Sequence, residues 1–326
     1  MKKFFKNLLF FCIPLLLLFI FASIFSRLIA NKLGIYKINP SVTTLFLGHS
    51  QPECDLNDSL IATTKNLAQG GEAYIYTYQK VKKILETNSQ IKTVVVSFSN
   101  NQTEDLMTKW SFGDENMENF YPKYNFMMDR NDISLFVKNN FSSFLSAQTK
   151  AIATNIKAIA SRNKNKLDDR NWGGYLYLIR NKTDSLVKSH YADTLKKQKN
   201  NLISTVNIDY LSKIIAFCKQ KNVKVVFIRL PMHKSLFAIE NETEFLKIKT
   251  SKFKDIPFLD FHNFEATNKE FADLEHLNHT GAKRFSLFFN SLIQNGILTD
   301  KNAQTTINTA MQIENVTQKL IENKPL

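Results

Sequence analysis

The stretch that decides the fold is Thr43–Ser50, TTLFLGHS, in which an apolar run stops at glycine, histidine and serine. Such a run, uninterrupted by polar residues, is typical of a strand buried on both faces of a parallel sheet. A second run, Lys92–Phe98, KTVVVSF, predicts a central strand. The segments Lys65–Ala68, Val223–Leu230 and Ile256–Asp260 predict three further strands.

Helical segments lie between these strands. Apolar residues recur at helical spacing in Glu72–Thr87, Ile208–Lys221 and Thr280–Gln294. Gly296 suits the position just after the end of the last helix. Strands that alternate with helices predict an α/β fold, here a doubly wound five-stranded parallel sheet.

Candidate site residues follow the predicted strands. Ser50, Gly70, Asn100 and His233 each come shortly after the end of one strand. Ligands of open α/β sheets bind outside the carboxyl ends of the strands, at the point where the strand order reverses. We therefore expect the functional site at this edge of the sheet.

A second informative segment lies near the C-terminus, Asp273–Asn278, DLEHLN. An aspartate and a histidine three residues apart on a tight turn can share a hydrogen bond, which fixes the tautomer of the histidine. His276 could then take a proton from Ser50, with Asp273 as the orienting carboxylate. Glu275 is the nearby alternative carboxylate.

Ser50 after the first strand and Asp273-x-x-His276 near the end, in that order, resemble the SGNH (GDSL-type) hydrolase superfamily. The resemblance covers about residues 43–293 and is most specific around these two segments. It implies a flavodoxin-like sheet with Ser50 as nucleophile, His276 as base and Asp273 as the residue that orients the base. Asn278 also resembles the family's final block.

The resemblance also implies an oxyanion hole. Its donors would be the backbone N–H of Ser50, a glycine after the second strand and an asparagine after the third strand. Gly70 or Gly71 fits the glycine, and Asn100 fits the asparagine. The sequence departs from the family pattern at His49, where an aspartate is usual, and at Phe98 and Asn101, on either side of Asn100.

Other polar residues are candidates for weaker roles. Arg229 and His233, around the end of the fourth predicted strand, are candidate substrate contacts. His262 follows the last strand, where we expect a structural role. His276 and His279 have a spacing that a metal could use, but further ligands are not evident, so we expect no metal and no cofactor.

The N-terminus predicts a membrane anchor over residues 1–27. Lys2, Lys3 and Lys6 precede the apolar run Leu8–Phe25, roughly 18 residues, which is near the lower limit for spanning a bilayer. The run is longer than a signal-peptide core and lacks a small-residue cleavage site, although a cleaved signal peptide is the alternative. The lysines favour a cytoplasmic N-terminus, which predicts a single-pass protein of a bacterial inner membrane with the rest in the periplasm or outside the cell.

Four further segments complete the predicted organisation. Residues 28–41 predict a linker, 42–296 the α/β domain and 297–326 a polar tail. Strand and helix alternation breaks down at about 103–205, which predicts a mostly helical cap inserted into the domain. The cap is rich in aromatic residues, which either line a carbohydrate site or form the cap's own core.

The formal net charge of +14 suggests an anionic neighbour, either a membrane surface or an acidic polymer. The sequence carries no nucleic-acid-binding signature, so we expect no nucleic-acid partner. Anchor, charge and cap resemble accessory proteins of alginate O-acetylation and teichoic-acid D-alanylation. This resemblance implies an esterase or O-acyltransferase acting on acyl esters of a cell-surface polysaccharide, beside a membrane-bound O-acyltransferase. The departures at His49, Phe98 and Asn101 leave open a non-catalytic binding or assembly protein.

Overall fold

The computed structural model of the chain describes residues 1–33, 36–160, 172–198, 202–237 and 241–322. These residues form two compact units, one built around a β-sheet and one made of helices. The sheet unit takes its residues from three stretches of the chain, which are 38–78, 88–108 and the part from Trp172 onward.

The strands of the sheet are β1 Thr44–Leu47, β2 Thr64–Asn66, β3 Thr93–Ser97, β4 Lys224–Arg229 and β5 Phe258–Asp260. All of them run parallel, and their order across the sheet is β2-β1-β3-β4-β5. The predicted fold class, a doubly wound five-stranded parallel sheet, is confirmed.

The central strands are apolar because helices cover both faces of a sheet of this kind. Phe46 of β1, Val95 of β3 and Val226 of β4 stand in register and are fully buried. The order reverses at β1, which lies between β2 and β3. The residues that follow β1 are therefore placed at the topological switch point, where open sheets bind ligands.

The described residues outside the sheet are mostly helical. The α-helices are α1 Lys2–Leu33, α2 Ser50–Asp55, α3 Tyr74–Thr87, α4 Leu106–Phe112, α5 Asp114–Tyr124, α6 Arg130–Asn139, α7 Phe141–Ala160, α8 Thr183–Lys188, α9 Tyr191–Gln198, α10 Thr205–Gln220, α11 Lys234–Phe237, α12 Glu242–Lys252, α13 His279–Gln294 and α14 Ala303–Glu322. Short 3₁₀ turns lie at Asp58–Leu60, Asn100–Thr103, Asn125–Met127 and Asn268–Glu270.

The core beside β5 is largely aromatic. Phe261 packs against Phe285 and Phe289 of α13 with ring centroids 5.3 Å from each, and Phe264 lies 5.1 Å from Phe285. Edge-to-face pairs of this kind add to the burial of apolar area. The helix that follows the Asp273–His276 turn is thereby fixed to the sheet.

The C-terminal segment, predicted as a polar tail, is instead part of the sheet unit up to Glu322. Helix α14 buries Ala303, Ile307 and Met311 in the same core as α13. The Gln304 side chain also accepts a hydrogen bond from the Asp260 N–H at 2.9 Å and donates to the Asp260 carbonyl at 3.0 Å. Apolar residues four apart supply this buried stripe although the helix is polar overall.

The helical unit comprises residues 1–37, 79–87 and 109–171, of which 34–35 and 161–171 lie outside the described residues. Its aromatic side chains form its own core; the buried ones include Phe112, Phe120, Tyr121, Tyr124, Phe126 and Phe136. The predicted cap of 103–205 is divided between the two units, because the chain returns to the sheet unit at Trp172.

Helix α1 has 32 residues and continues to Leu33, so the predicted linker is shorter than residues 28–41. At 1.5 Å per residue it is about 48 Å long, against roughly 30 Å of bilayer hydrocarbon. Among the described residues it is the helix long and apolar enough to cross a membrane. An anchor and a signal sequence both fit this observation.

Candidate active site

The serine at the end of β1 sits on a turn that requires glycine. Gly48 has a φ of +134°, and a Cβ atom there would lie 2.0 Å from Ser97 Oγ. His49 caps α2, whose first residue is Ser50. The backbone N–H of a first helical residue has no acceptor within its helix, so the Ser50 N–H is not used by the helix itself.

Ser50, His276 and Asp273 form a continuous hydrogen-bonded chain. Ser50 Oγ lies 2.8 Å from His276 Nε2, and His276 Nδ1 lies 2.9 Å from Asp273 Oδ1. Both separations are within the normal range for hydrogen bonds. Residues more than 220 positions apart in the chain therefore meet at the carboxyl edge of the sheet.

The Asp273 carboxylate is oriented by its own turn. Besides the His276 ring, Oδ1 accepts the backbone N–H groups of Glu275 at 2.9 Å and of His276 at 3.0 Å. Oδ2 accepts from the Arg180 guanidinium at 2.7 Å. Glu275, the alternative carboxylate, thus supports Asp273 through its main chain.

These contacts set the charge states of the pair. Burial alone would raise the pKa of Asp273, but the hydrogen bond and charge of His276 and the hydrogen bond from Arg180 hold that pKa well below its usual range. Burial lowers the pKa of His276, but the hydrogen bond and charge of Asp273 outweigh it, so the pKa of His276 lies above its ordinary value. An ionised carboxylate beside a histidine of raised basicity is the pairing that proton abstraction from a serine needs.

His49 occupies the position where SGNH (GDSL-type) hydrolases, which the sequence resembles, usually have aspartate. It is almost fully buried, and burial followed by the nearby charge of His276 lowers the pKa of His49 to about 3. Its Nδ1 atom lies 3.3 Å from Ser50 Oγ and 3.4 Å from the Gln51 N–H. The ring is therefore a neutral group that packs beside the nucleophile without adding a second charge.

The predicted oxyanion donor Gly70 lies next to Ser50. A Cβ atom on Gly70 would be 3.6 Å from Ser50 Cβ. Its N–H, however, donates to Glu53 Oε2 at 2.8 Å. Gly71, the alternative, has a φ of +76°, a conformation that favours glycine. The loop thus lies beside Ser50, while the Gly70 N–H donates to the Glu53 carboxylate, so its role as an oxyanion donor stays a prediction.

Asn100, the other predicted oxyanion donor, belongs to a different cluster. Its side-chain amide donates to Glu242 Oε2 at 2.9 Å, and its side-chain oxygen accepts from Arg229 at 3.1 Å. The residue is buried at the end of β3. The predicted oxyanion donor Asn100 is therefore engaged away from Ser50, because the Glu242 carboxylate accepts its side-chain N–H.

Arg229, a predicted substrate contact, is a buried and paired cation in the structure. Only 1% of the residue is exposed. Its guanidinium pairs with Asp260 and Glu242 and lies 3.0 Å from His262 Nδ1. A buried charge must be compensated in this way, and the guanidinium thereby links the ends of β4 and β5 to Glu242 of α12 and to Asn100 after β3.

His233, the other predicted substrate contact, is a mostly buried residue with hydrogen-bond partners of its own. The residue is 4% exposed. Its Nδ1 accepts the Ser235 N–H at 3.2 Å, and its Nε2 lies 3.1 Å from Asn268 Oδ1. With both ring nitrogens engaged, His233 ties the loop after β4 to the segment before the Asp273 turn.

An extended strap, residues 172–182, crosses the site and was not predicted. Four backbone hydrogen bonds fix it: Gly174 to Ala68, Leu176 to Glu53, Lys182 to Ala272, and His279 to Leu178. The strap carries Arg180 to Asp273. The adjacent glycines 173 and 174, both at positive φ, were the signal in the sequence that a special backbone course begins here.

Replacing Arg180 with glutamine should lower kcat/KM for a small acetyl ester by roughly fivefold, because a partly exposed ion pair is worth about 1 kcal/mol or less. Removing its positive charge favours protonated His276, so the acid limb of the pH–rate profile should move to higher pH. Arg180→Lys should restore part of the rate. A fall in rate with an unmoved acid limb would mean that Arg180 supports only the fold.

Asp55 is a second buried carboxyl that the sequence reading missed. Its Oδ1 accepts the Leu277 N–H at 2.8 Å, and its Oδ2 has no hydrogen-bond partner among the described residues. Burial raises the pKa of Asp55 well above its usual value, although the charge of His276 and the Leu277 hydrogen bond oppose the shift. Asp55 thus holds the main chain of Leu277, the residue that follows His276.

For an acid with a raised folded-state pKa, stability is lost as the pH rises from the unfolded pKa through the folded one. Asp55→Asn cannot ionise and keeps an acceptor for Leu277. We therefore expect its melting temperature, relative to the parent, to increase between pH 5 and pH 8. Asp55→Ala should lose about 1–3 kcal/mol at pH 5, because the Leu277 N–H is left unpaired, and this deficit should shrink at pH 8, because alanine also cannot ionise. An Asn variant whose relative stability does not change with pH would contradict this.

The comparisons with known proteins add little. A family model that carries no functional description matches residues 157–298, less than half of the chain. No curated protein matches. Among solved structures, a "putative acylhydrolase" from Bacteroides fragilis NCTC 9343 is similar, with a TM-score of 0.32 and 10% identity, over 82% of this chain and 93% of that one. Similarity at this level carries no argument about activity.

Proposed function

We propose that this protein is a membrane-anchored enzyme that cleaves or transfers acyl groups through a serine nucleophile. The observation that carries the proposal is the hydrogen-bonded chain from Ser50 through His276 to Asp273, with separations of 2.8 and 2.9 Å. A nucleophile, a base and a carboxylate that fixes the base are the groups that acyl transfer requires.

The first half of the reaction forms an acyl-enzyme. Ser50 Oγ attacks the ester carbonyl while His276 Nε2 takes the hydroxyl proton, and the Asp273 charge stabilises the imidazolium. The Ser50 N–H donates to the oxyanion of the tetrahedral intermediate. When the intermediate collapses, the ester C–O bond breaks and His276 returns its proton to the departing alcohol oxygen.

The second half releases the acyl group. A water molecule or a sugar hydroxyl gives its proton to His276 and attacks the acyl-enzyme carbonyl. The bond to Ser50 Oγ then breaks, and His276 reprotonates the serine. Hydrolase and transferase differ only in the acceptor. For Gly70 to add a second oxyanion donor, Glu53 must release the Gly70 N–H that it now holds at 2.8 Å.

The Gly70 N–H and the Asn100 side-chain N–H already donate to carboxylates of the protein. This favours a second candidate, a non-catalytic protein that binds or assembles a cell-envelope polymer. Burst kinetics separate the two. The full chain in detergent, mixed with p-nitrophenyl acetate, should release a burst of nitrophenolate that approaches one per chain, followed by slower turnover as the acyl-enzyme deacylates. Absence of both burst and turnover would favour the binding protein.

The proposed substrate is an acyl ester of a cell-surface polysaccharide. Helix α1 supports location at a membrane, and the net charge of +14 supports an anionic surface or polymer nearby. In this proposal α1 crosses a bacterial inner membrane once, the sheet unit lies in the periplasm or outside, and a membrane-bound O-acyltransferase is the partner that supplies or receives acyl groups. A C-terminal reporter active only in the cytoplasm would contradict this topology.

A further inference from the structure

Helix α7 of the helical unit has an apolar face that the protein does not cover. Phe141, Leu145 and Ile156 are 59%, 41% and 51% exposed. At 100° per residue these three side chains fall within about 60° of one another, so they form one strip along the helix. Phe141, Leu145 and Ile156 are hereafter the α7 strip.

Helix α7 packs against the C-terminal part of α1, where small residues allow close approach. Ser26 and Ala30 are the buried residues of α1. The Gln148 side chain donates to Ser23 Oγ at 2.7 Å and accepts from the Tyr121 hydroxyl at 2.6 Å. Contact between α1 and α7 therefore begins at the level of Ser23.

Ser23 lies inside the apolar run Leu8–Phe25. When α1 crosses a bilayer, this run occupies the hydrocarbon, and Ser23 falls near the boundary between the acyl chains and the headgroups. Gln148 must then lie at the same depth, since it is hydrogen-bonded to Ser23. A helix tied to α1 at that depth cannot be remote from the lipid surface.

The α7 strip lies directly beside the face that contacts α1. Leu145 comes three residues before Gln148, and positions three or four apart are neighbours on a helix surface. The exposed apolar surface of α1 thus continues onto α7. Elsewhere α7 exposes Lys150 and Lys157, and its sequence contains no acidic residue. Lysines on the polar face and apolar residues beside them are typical of helices that lie in a membrane interface.

We infer that α7 is an interfacial membrane helix and that the α7 strip is embedded in the bilayer that α1 crosses, with Lys150 and Lys157 against anionic lipid headgroups. The inference rests on the anchoring part of the proposed function and not on the Ser50 chemistry. Its consequence is that the helical unit is held at the lipid surface by two helices, since α7 adds a second apolar contact to the anchor.

Labelling the full chain tests this inference. In a Cys12→Ala background, Cys54 and Cys218 are buried, so a single introduced cysteine can carry an environment-sensitive NBD fluorophore. The test positions are Leu145→Cys and Ile156→Cys. Ser146→Cys is the matched control, because the exposed Ser146 side chain faces Glu118 at 2.7 Å.

The labelled chains are reconstituted in phosphatidylcholine–phosphatidylglycerol vesicles with and without spin-labelled lipid. Labels at 145 and 156 should emit at shorter wavelength than the label at 146, and the spin-labelled lipid should quench them more strongly. Water-soluble maleimide should also react more slowly with the unlabelled cysteines at 145 and 156 than with that at 146, which provides a second measurement if the fluorophore perturbs packing.

A label at Leu16→Cys, on the exposed surface of α1, reports the anchor itself. Quenching at 16, 145 and 156 supports the inference. Quenching at 16 while 145 and 156 behave like 146 overturns it and leaves the anchor intact. No quenching at 16 removes the anchor and the inference together. Ester turnover by the same samples is measured separately from all three results. Failure of the Ser50 chemistry is therefore distinguished from failure of the membrane contact.

Discussion

Replacing Ser50 with alanine should lower kcat for p-nitrophenyl acetate roughly a million-fold, because the proposed nucleophile is removed while substrate binding and the oxyanion donors keep some residual rate. His276→Ala should have a similar effect, since Ser50 Oγ donates its proton to a ring nitrogen only 2.8 Å away. The double variant should be scarcely slower than either single one, because the two residues act as a unit.

The matched control is Ser291→Ala, which removes an exposed hydroxyl on α13 that bonds the carbonyl of Phe288 at 2.7 Å. Its kcat should equal that of the parent. Equal rates for Ser50→Ala and Ser291→Ala would exclude Ser50 as the nucleophile. Additive losses in the Ser50 and His276 variants would show that the two residues act on different steps.

The second large effect concerns the carboxylate. Asp273→Asn should lower kcat by about 10⁴, because an asparagine can donate to His276 Nδ1 and so hold the ring in the tautomer that cannot accept the serine proton. Glu275→Gln should change kcat little, since Glu275 supports the turn through its backbone N–H at 2.9 Å. The reverse pattern would mean that Glu275 is the orienting carboxylate.

The pH–rate profile of the same variants shows whether Asp273 raises or lowers the pKa of His276. His276 must be neutral to act as a base, so kcat/KM of the parent should rise with pH through a value above the ordinary histidine pKa of about 6.5, as the raised pKa of His276 requires. Asp273→Asn removes the hydrogen bond and charge that raise this pKa. Its acid limb should therefore move to lower pH, opposite to the shift expected for Arg180→Gln.

The sheet could be predicted from the sequence because its signals are local. An apolar run such as Thr43–Leu47 or Lys92–Phe98 is too short for a helix and too continuous for an exposed strand. The Ser50–His276–Asp273 contact could also be predicted, because the ends of parallel strands share one edge and Asp273 and His276 lie on a single turn. The catalytic roles of these residues stay predictions.

The roles of Asn100, Arg229 and His233 could not be predicted, because each depends on a partner distant in sequence. Arg229 is neutralised by Glu242 of α12, which no local pattern connects to it. Asn100 follows a strand end as expected, but its side-chain N–H donates to Glu242 and its side-chain oxygen accepts from Arg229. Strand-end position predicts proximity to a site, and only the packing decides which way a side chain turns.

The strap was missed for a similar reason. Residues 172–182 have no periodic pattern, because an extended segment that bonds through its main chain leaves no hydrophobic repeat. The tail was misread because three buried positions in α14, Ala303, Ile307 and Met311, are diluted by polar neighbours. Both segments are placed by long-range contacts, which a single sequence does not reveal.

Covalent labelling of the full chain with a fluorophosphonate, followed by peptide mass spectrometry, tests whether His276 activates Ser50. Such a probe reacts with a serine hydroxyl only when a neighbouring base activates it. We expect one adduct, on the peptide that contains Ser50, and its loss in both Ser50→Ala and His276→Ala. An unlabelled parent, or an adduct that persists in His276→Ala, would contradict the claim that His276 activates Ser50.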